Sequence, residues 1–348
     1  MSTSISSPAE RPQFVVPNGT IVGQAGQEDT PPGRGVAHSR ASIAVVCLLP
    51  LGALLMAFAT TGATRSLSRQ YLQTVGWSLV LIIAFACLEK VFPAPGPRKR
   101  SHQVILNIQS GLLVFLAATV AGVLSGWVTS VVGRHLEMGW IDLGLRSADN
   151  LSALIATALL TWLTYDFVAY WYHRSQHTFA ILWQIHKFHH MDEQFSVTTR
   201  LRDNVSDVFV SVFSVTLPIA LLFHLDPGAT AKLGTFMGLW GEAVAVFIHA
   251  NIRLHFGWVN ALIVTHQVHR IHHSRLIQHH NKNFCVYLPI WDIVFGTYFH
   301  PSREEFPPSG TDEAGDVSSI REVIALPFHG WWAISRGWWQ GRDAGAFQ

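Results

Sequence analysis

Apolar runs about as long as a bilayer core is thick recur along this chain, and they constrain its fold more than any other feature. Ile43 to Ala63 is about 20 residues without a charge. Thr74 to Phe92 follows, interrupted near its end by Glu89 and Lys90, and then Gln103 to Val132, with Gly111, Gly122 and Gly126 allowing close packing or a bend. Leu151 to Tyr172 is crowded with Trp162, Tyr165, Tyr170, Trp171 and Tyr172, aromatic residues suited to the headgroup level. Val208 to Leu225 and Ala229 to Ile248 are separated by Asp226, Pro227 and Gly228, a turn signal that predicts a helical hairpin over 208–248. Only 13% of the 348 residues are charged, against about 25% for an ordinary soluble domain, which points to a membrane.

The remaining composition excludes other classes. Net charge is +2, and no basic block has interleaved aromatics, so nucleic acid is not an expected partner. Cys47, Cys87 and Cys285 sit in apolar surroundings without CxxC spacing and read as small hydrophobes, not a disulfide framework. Residues 1–40 are rich in Ser, Pro, Gly and Gln, the composition of a disordered polar tail, and they lack the charged-then-apolar start of a secretory signal. Residues 41–150 are expected to hold the amino-terminal transmembrane helices, and 151–300 the chemistry. Residues 301–348, with Trp331, Trp332, Trp338 and Trp339 near Arg336 and Arg342, read as an interfacial tail. If the histidine-rich region is cytoplasmic, alternation puts the Arg98 to Arg100 cluster on the same side, as the positive-inside rule favours, although Arg65 and Arg69 dissent.

Fourteen of the nineteen histidines lie between His173 and His280, in groups at helical spacing. His173 and His177 share one helix face. His186, His189 and His190 form a second wall, and His269, His272 and His273 a third. One zinc takes about four ligands, so these eight histidines plus His249 are too many for one ion, and two metals are the economical reading. No cysteine accompanies them, nor the Glu-x-x-His pairs of carboxylate-bridged bundles. Imidazole ligation suits iron, zinc, copper or nickel alike. A pH-sensitive patch is the bland alternative, and the repeated spacing argues against it. His280 is a further candidate ligand, ahead of His255, His266 and His279. His38, His102, His135, His224, His300 and His329 read as isolated surface or core residues. Asp166, Tyr170, His173 and His177 step by four, three and four, so Asp166 shares the first wall's face, as a carboxylate that orients an imidazole or a water, or as an interfacial charge.

These residues resemble a known family. Asp166-x-x-x-Tyr170-x-x-His173-Arg174-x-x-His177, His186-x-x-His189-His190, His249-x-Asn251 and His269-Arg270-Ile271-His272-His273 are similar to the motifs of the fatty acid hydroxylase and sterol desaturase superfamily. Asn283-Phe284 and Pro289-Ile290-Trp291-Asp292-x-x-Phe295-Gly296-Thr297-Tyr298 resemble its closing segment, and the likeness spans roughly residues 74–300.

The resemblance implies an all-α, polytopic transmembrane bundle with a cytosolic histidine-rich cap over a dinuclear site. It implies two iron ions, with zinc as a substitute in purified protein, and ligands among His173, His177, His186, His189, His190, His249, His269, His272 and His273. Dioxygen and electrons from a separate donor protein would then hydroxylate or desaturate a lipid: a sterol, fatty acyl chain, carotenoid or ether lipid. The chain departs from the family at Arg202-Asp203-Asn204-Val205, where a His-Pro-x-Glu-like element is common, and at His266 and Cys285. The last ligand falls to Asn251, His255 or His280, and Asp166 and Asn251 are the expected non-histidine members of the catalytic site. The competing class is a transition-metal transporter or metal-binding membrane protein. Transport predicts ionisable ligands inside the spans, whereas these gather at span ends.

Overall fold

In the computed structural model, residues 67–97, 100–135, 151–223, 227–311 and 317–339 are described. The expected polar tail, the run Ile43 to Ala63, Arg98 and Lys99, the loop carrying Glu137 to Asp149 and the turn at Asp226 lie outside them. Among the described residues the architecture is helical, with isolated bridges such as Pro93 with Ile252 and Ser274 with Ser309 in place of a sheet.

Helix α1, Leu67–Val91, runs without a breaker until Pro93 and Pro95 end it, since proline lacks the N–H that would extend the ladder. Helix α2, Ser101–His135, follows, and α3, Leu151–Thr178, takes the expected fourth run and the first histidine pair together. After a break at Phe179, α4 covers Ala180–His190. Asn204 caps α5, Val205–Leu222, by accepting the Ser206 N–H at 2.9 Å. Residues Val212–Thr216 of α5 widen into a π turn just before Pro218, which cannot donate to the ladder. Helix α6, Pro227–Ile248, returns the chain. Helix α7, His266–His272, starts at Thr265, whose hydroxyl accepts the Val268 N–H. Two more helices follow, α8 at Ile290–Val294 and α9 at Ile320–Trp339.

Among the described residues, three stretches are long and apolar enough to cross a membrane: Gln73–Val91, Ser101–Val132 and Val205–Leu222. In the first and third, 17% of the residues are buried within the protein, so their apolar surface faces outward and calls for a lipid environment. Of the three glycines expected to permit close packing in α2, Gly111 does so: a Cβ there would meet Leu201 Cδ2 at 2.7 Å. Gly122 and Gly126 face open space.

The main core joins Leu81 and Phe85 of α1, Tyr170 of α3, Ala243, Val246 and Phe247 of α6, Val268 of α7, and the segment Phe284, Cys285 and Tyr287. Cys285 is buried there as a small hydrophobe, and Cys87 is free on an exposed face of α1. Buried polar pairs set the helices in register. Glu242 of α6 accepts from Arg200 Nη2 at 2.7 Å and from the Ser78 hydroxyl of α1 at 2.5 Å. Glu89 also reaches across to later segments. Its carboxylate accepts the Val197 N–H at 2.6 Å and the Asn251 N–H at 2.7 Å, tying α1 to the segments that follow α4 and α6.

Helix α9 packs on α4, where Gly330 makes room for Gln184 and the Trp331 indole N–H donates to the Ile181 carbonyl at 2.8 Å. Val323 and Ile334 are buried, whereas Ile324, Phe328 and Trp332, four residues apart, form an exposed apolar stripe.

Candidate metal centre

The histidine walls of α3, α4 and α7, with His249 at the end of α6, converge as two buried sets of imidazoles. His173, His177, His186, His190 and His272 form one, with a ligand nitrogen of each within 4.8 Å of the others. His189, His249, His269 and His273 form the second on the same criterion. Each triplet is divided between them. The i, i+4 pair of α4, His186 and His190, faces the first set while His189 turns to the second. In α7, His269 and the residue four on, His273, face the second while His272 turns to the first. The sets abut, because the rings of His190 and His273 stack with centroids 4.3 Å apart.

The ring nitrogens show which atoms are free to bind. His173 Nδ1 donates to the Phe284 carbonyl at 2.7 Å and His272 Nδ1 to the Lys282 carbonyl at 2.9 Å. His189 Nδ1 donates to the Arg202 carbonyl at 2.9 Å and His249 Nδ1 to the Ala245 carbonyl at 2.7 Å. His186 Nδ1 donates to the Asp207 carboxylate at 3.2 Å. A carbonyl only accepts, so Nδ1 holds the proton and Nε2 keeps its lone pair. Yet His173 Nε2 lies 3.1 Å from His186 Nε2, and His189 Nε2 lies 3.0 Å from His249 Nε2. Lone pairs facing at that distance repel unless a cation sits between them. Two nitrogens bound at right angles to one ion, each about 2.1 Å away, would be about 3.0 Å apart, so the arrangement fits metal ligation.

Burial supports the same state. It holds the imidazoles of His189, His190, His269 and His273 well below the usual pKa of 6.5, with neighbouring rings adding to the effect, and pushes His272 down to about 3. The rings are therefore neutral, as ligands must be.

Several supporting groups had no signal of spacing. Asp207 collects the Tyr172 hydroxyl at 2.5 Å, the Gln176 amide at 2.8 Å and the His186 ring. Together with Asp203, it faces His186 as a third small group of potential ligands. Arg202, in the stretch that departs from the family pattern, donates Nε to the Phe188 carbonyl at 2.9 Å and Nη1 to Gln103 at 2.8 Å, and its own carbonyl orients His189. Asp207 gave only one hint, a carboxylate in the first turn of an otherwise apolar helix.

The three undecided candidates lie elsewhere. Asp166 is fully buried, but its oxygens accept the Tyr287 and Leu288 N–H groups at 3.2 Å each, clamping a loop instead of turning to an imidazole. Asn251 is taken up by Arg270, which also donates to the Pro95 and Pro307 carbonyls. His280 is exposed and stands outside both sets. Of the lesser candidates, His255 bonds Gln267, His279 bridges Ser274 and Glu305, and His266 is enclosed by Phe247, Phe256 and Phe306.

Residues 158–297, which contain both sets, match the family model of the fatty acid hydroxylase domain. The chain is 32% identical over 142 residues to human alkylglycerol monooxygenase, covering 40% of this chain and 30% of that protein. It is 32% identical over 151 residues to the ornithine lipid hydroxylase OlsE of Rhizobium tropici, covering 42% of each. A very-long-chain aldehyde decarbonylase of rice is 25% identical over 188 residues, 49% of this chain and 28% of that one. The chain thus spans less than half the length of these curated relatives. No solved structure matches it. The segment 158–297, which carries both sets of imidazoles, is thus similar to the fatty acid hydroxylase domain and to the matching parts of these lipid-modifying enzymes.

Proposed function

We propose that this protein is a membrane-bound di-iron oxygenase that hydroxylates a lipid, or desaturates it if the substrate is seated differently. The observation that carries the reading is the pairing of inward-facing, proton-free Nε2 atoms in two adjoining buried sets, beside helices whose apolar surface faces outward. His173, His177, His186, His190 and His272 would hold one ion, and His189, His249, His269 and His273 the other. Bound iron would supply dioxygen activation, with electrons from a separate donor protein. The ligands' Nδ1 partners fix ring orientation, and burial of the sets keeps bulk water from the reacting atoms. The names of the relatives, a monooxygenase of alkylglycerols and a hydroxylase of ornithine lipids, favour oxygen insertion over desaturation and a substrate with both an alkyl chain and a polar head.

We also propose a multi-pass chain with the histidine region on the cytoplasmic side and α9 lying at the membrane surface on its Ile324, Phe328 and Trp332 stripe. Metal transport is disfavoured because the ligands sit at helix ends in closed, buried sets instead of along a path through the spans. The test is lipid profiling of a host expressing the wild type beside His189→Ala. A lipid class gaining one oxygen, or losing two hydrogens, only with the wild type names the substrate. No difference in sterols, carotenoids, fatty acids or ether lipids counts against catalysis.

A further inference from the structure

Helix α8 and Phe295 expose an uncharged surface that the metal sites do not use. Ile290, Ile293 and Val294 are 47%, 49% and 63% exposed. From Asn283 to Phe299 the sole charged side chain is Asp292, and it is fully buried, accepting the Phe284 and Cys285 N–H groups at 2.9 Å and the Thr297 hydroxyl at 2.7 Å. The outer face is therefore apolar and held on a rigid underside.

This face continues a second one. On α3, Ile155, Leu159, Leu163, Phe167 and Trp171 recur every four residues and are all exposed, forming one stripe along the helix. Its cap end runs into α8: Phe167 meets Trp291 and Trp171 meets Phe295, each with ring centroids 4.9 Å apart. Phe167 and Trp171 precede His173 by six and two residues, so α8 packs about 3 to 9 Å to the bilayer side of the His173 level. Water at that depth would face two joined apolar surfaces, with the Arg174 guanidinium, 5.3 Å from the Trp171 ring centroid, as a charge at the cap end. Acyl chains match both.

We propose that α8 is embedded in the bilayer leaflet facing the histidine cap, with Ile290, Ile293 and Val294 among the acyl chains, as an extension of the α3 stripe. This rests on the reading that α3 crosses the membrane. It adds a non-spanning segment that seats the Phe284 to Thr297 loop, and through the Phe284 carbonyl the His173 ring, against lipid.

The test uses the full metal-loaded chain in phosphatidylcholine vesicles, with nitroxide labels at Ile293→Cys, Leu163→Cys and Gln278→Cys in a Cys47→Ala, Cys87→Ala background that keeps the buried Cys285. Val294→Cys serves as a second site should Ile293→Cys fail to fold. Collision with oxygen and with a water-soluble chromium complex gives label depth. The expected result is a label at 293 or 294 about 5 to 10 Å below the headgroup boundary, with the exposed 278 label in water. A 293 label in water while the 163 label is in lipid overturns the inference and leaves the spanning reading standing. A 293 label shielded from both reagents overturns it in favour of a protein partner or second copy. A 163 label in water removes the spanning reading and the inference with it.

Discussion

The Asp207 carboxylate holds the His186 ring at Nδ1, 3.2 Å away, on the edge opposite the nitrogen that faces the other imidazoles. The same carboxylate is anchored by Tyr172 and Gln176 of α3, so two of the helices that supply ligands are locked together behind the site. Asp207→Asn should weaken metal binding by about 10- to 100-fold, the usual cost of losing a carboxylate behind a ligand. Chelator competition on the purified protein measures this. Tyr172→Phe, which leaves the charge in place, should have the smaller effect.

Metal counts should follow the division of the triplets. Wild type purified in detergent is expected to hold about two ions per chain, one for each set. His249→Ala reduces the second set from four imidazoles to three and should lose that ion, leaving about one. His272→Ala leaves four imidazoles in the first set and should weaken its ion before removing it. Elemental analysis after graded dialysis against chelator separates the two variants.

Asp166 is expected to act on stability through the loop it clamps. Asp166→Ala leaves the buried Tyr287 N–H and the Leu288 N–H without an acceptor, at about 1 to 3 kcal/mol for each group so orphaned. The thermal midpoint in detergent should fall, while metal content per folded molecule stays at the wild-type value.

Gly111→Ala and Gly122→Ala should part in sign. The first drives a methyl into Leu201, an overpacking expected to cost about 1 to 3 kcal/mol. The second has free space and gains up to about 1 kcal/mol of helix propensity. Thermal midpoints of the two variants, measured side by side, check this.

His266 should make stability depend on pH. Burial pushes its imidazole down to about 3, and the nearby Arg270 guanidinium acts the same way. Below about pH 6.5 the unfolded chain takes up a proton that the folded chain refuses until about pH 3, so the contribution is complete above 6.5 and is lost as pH falls through that window. His266→Phe removes it. The difference in thermal midpoint between wild type and this variant should move against the wild type from pH 7.5 to pH 5.

The helical sets were legible because ligands on one helix repeat at three and four residues, and the spans because a bilayer demands length. The sharing of each triplet between two sets was not, since it depends on how α4 and α7 meet across the site. Asp166 is the converse case. It lies on the right face of α3 two turns before His173, but hydrogen-bond donors 121 and 122 residues away claim it. Asn251, Asp207, Arg202 and Glu89 likewise take partners that no local pattern announces. Asp292 shows the mixed case: its place in the closing motif was plain, and its task of holding the Phe284 peptide behind His173 was not.

The Glu89 clamp bears on where this protein's modular boundary falls. The matched segment begins at 158, yet the stretches after its second histidine group and after His249 hang by Val197 and Asn251 from one side chain of α1, and Arg202 leans on Gln103 and Asn107 of α2. A chimera that transplanted residues 158–297 onto foreign membrane helices would bring every imidazole and leave their buttress behind. The transferable unit is thus the matched segment together with α1 and α2, and a swap between relatives should be cut upstream of Glu89.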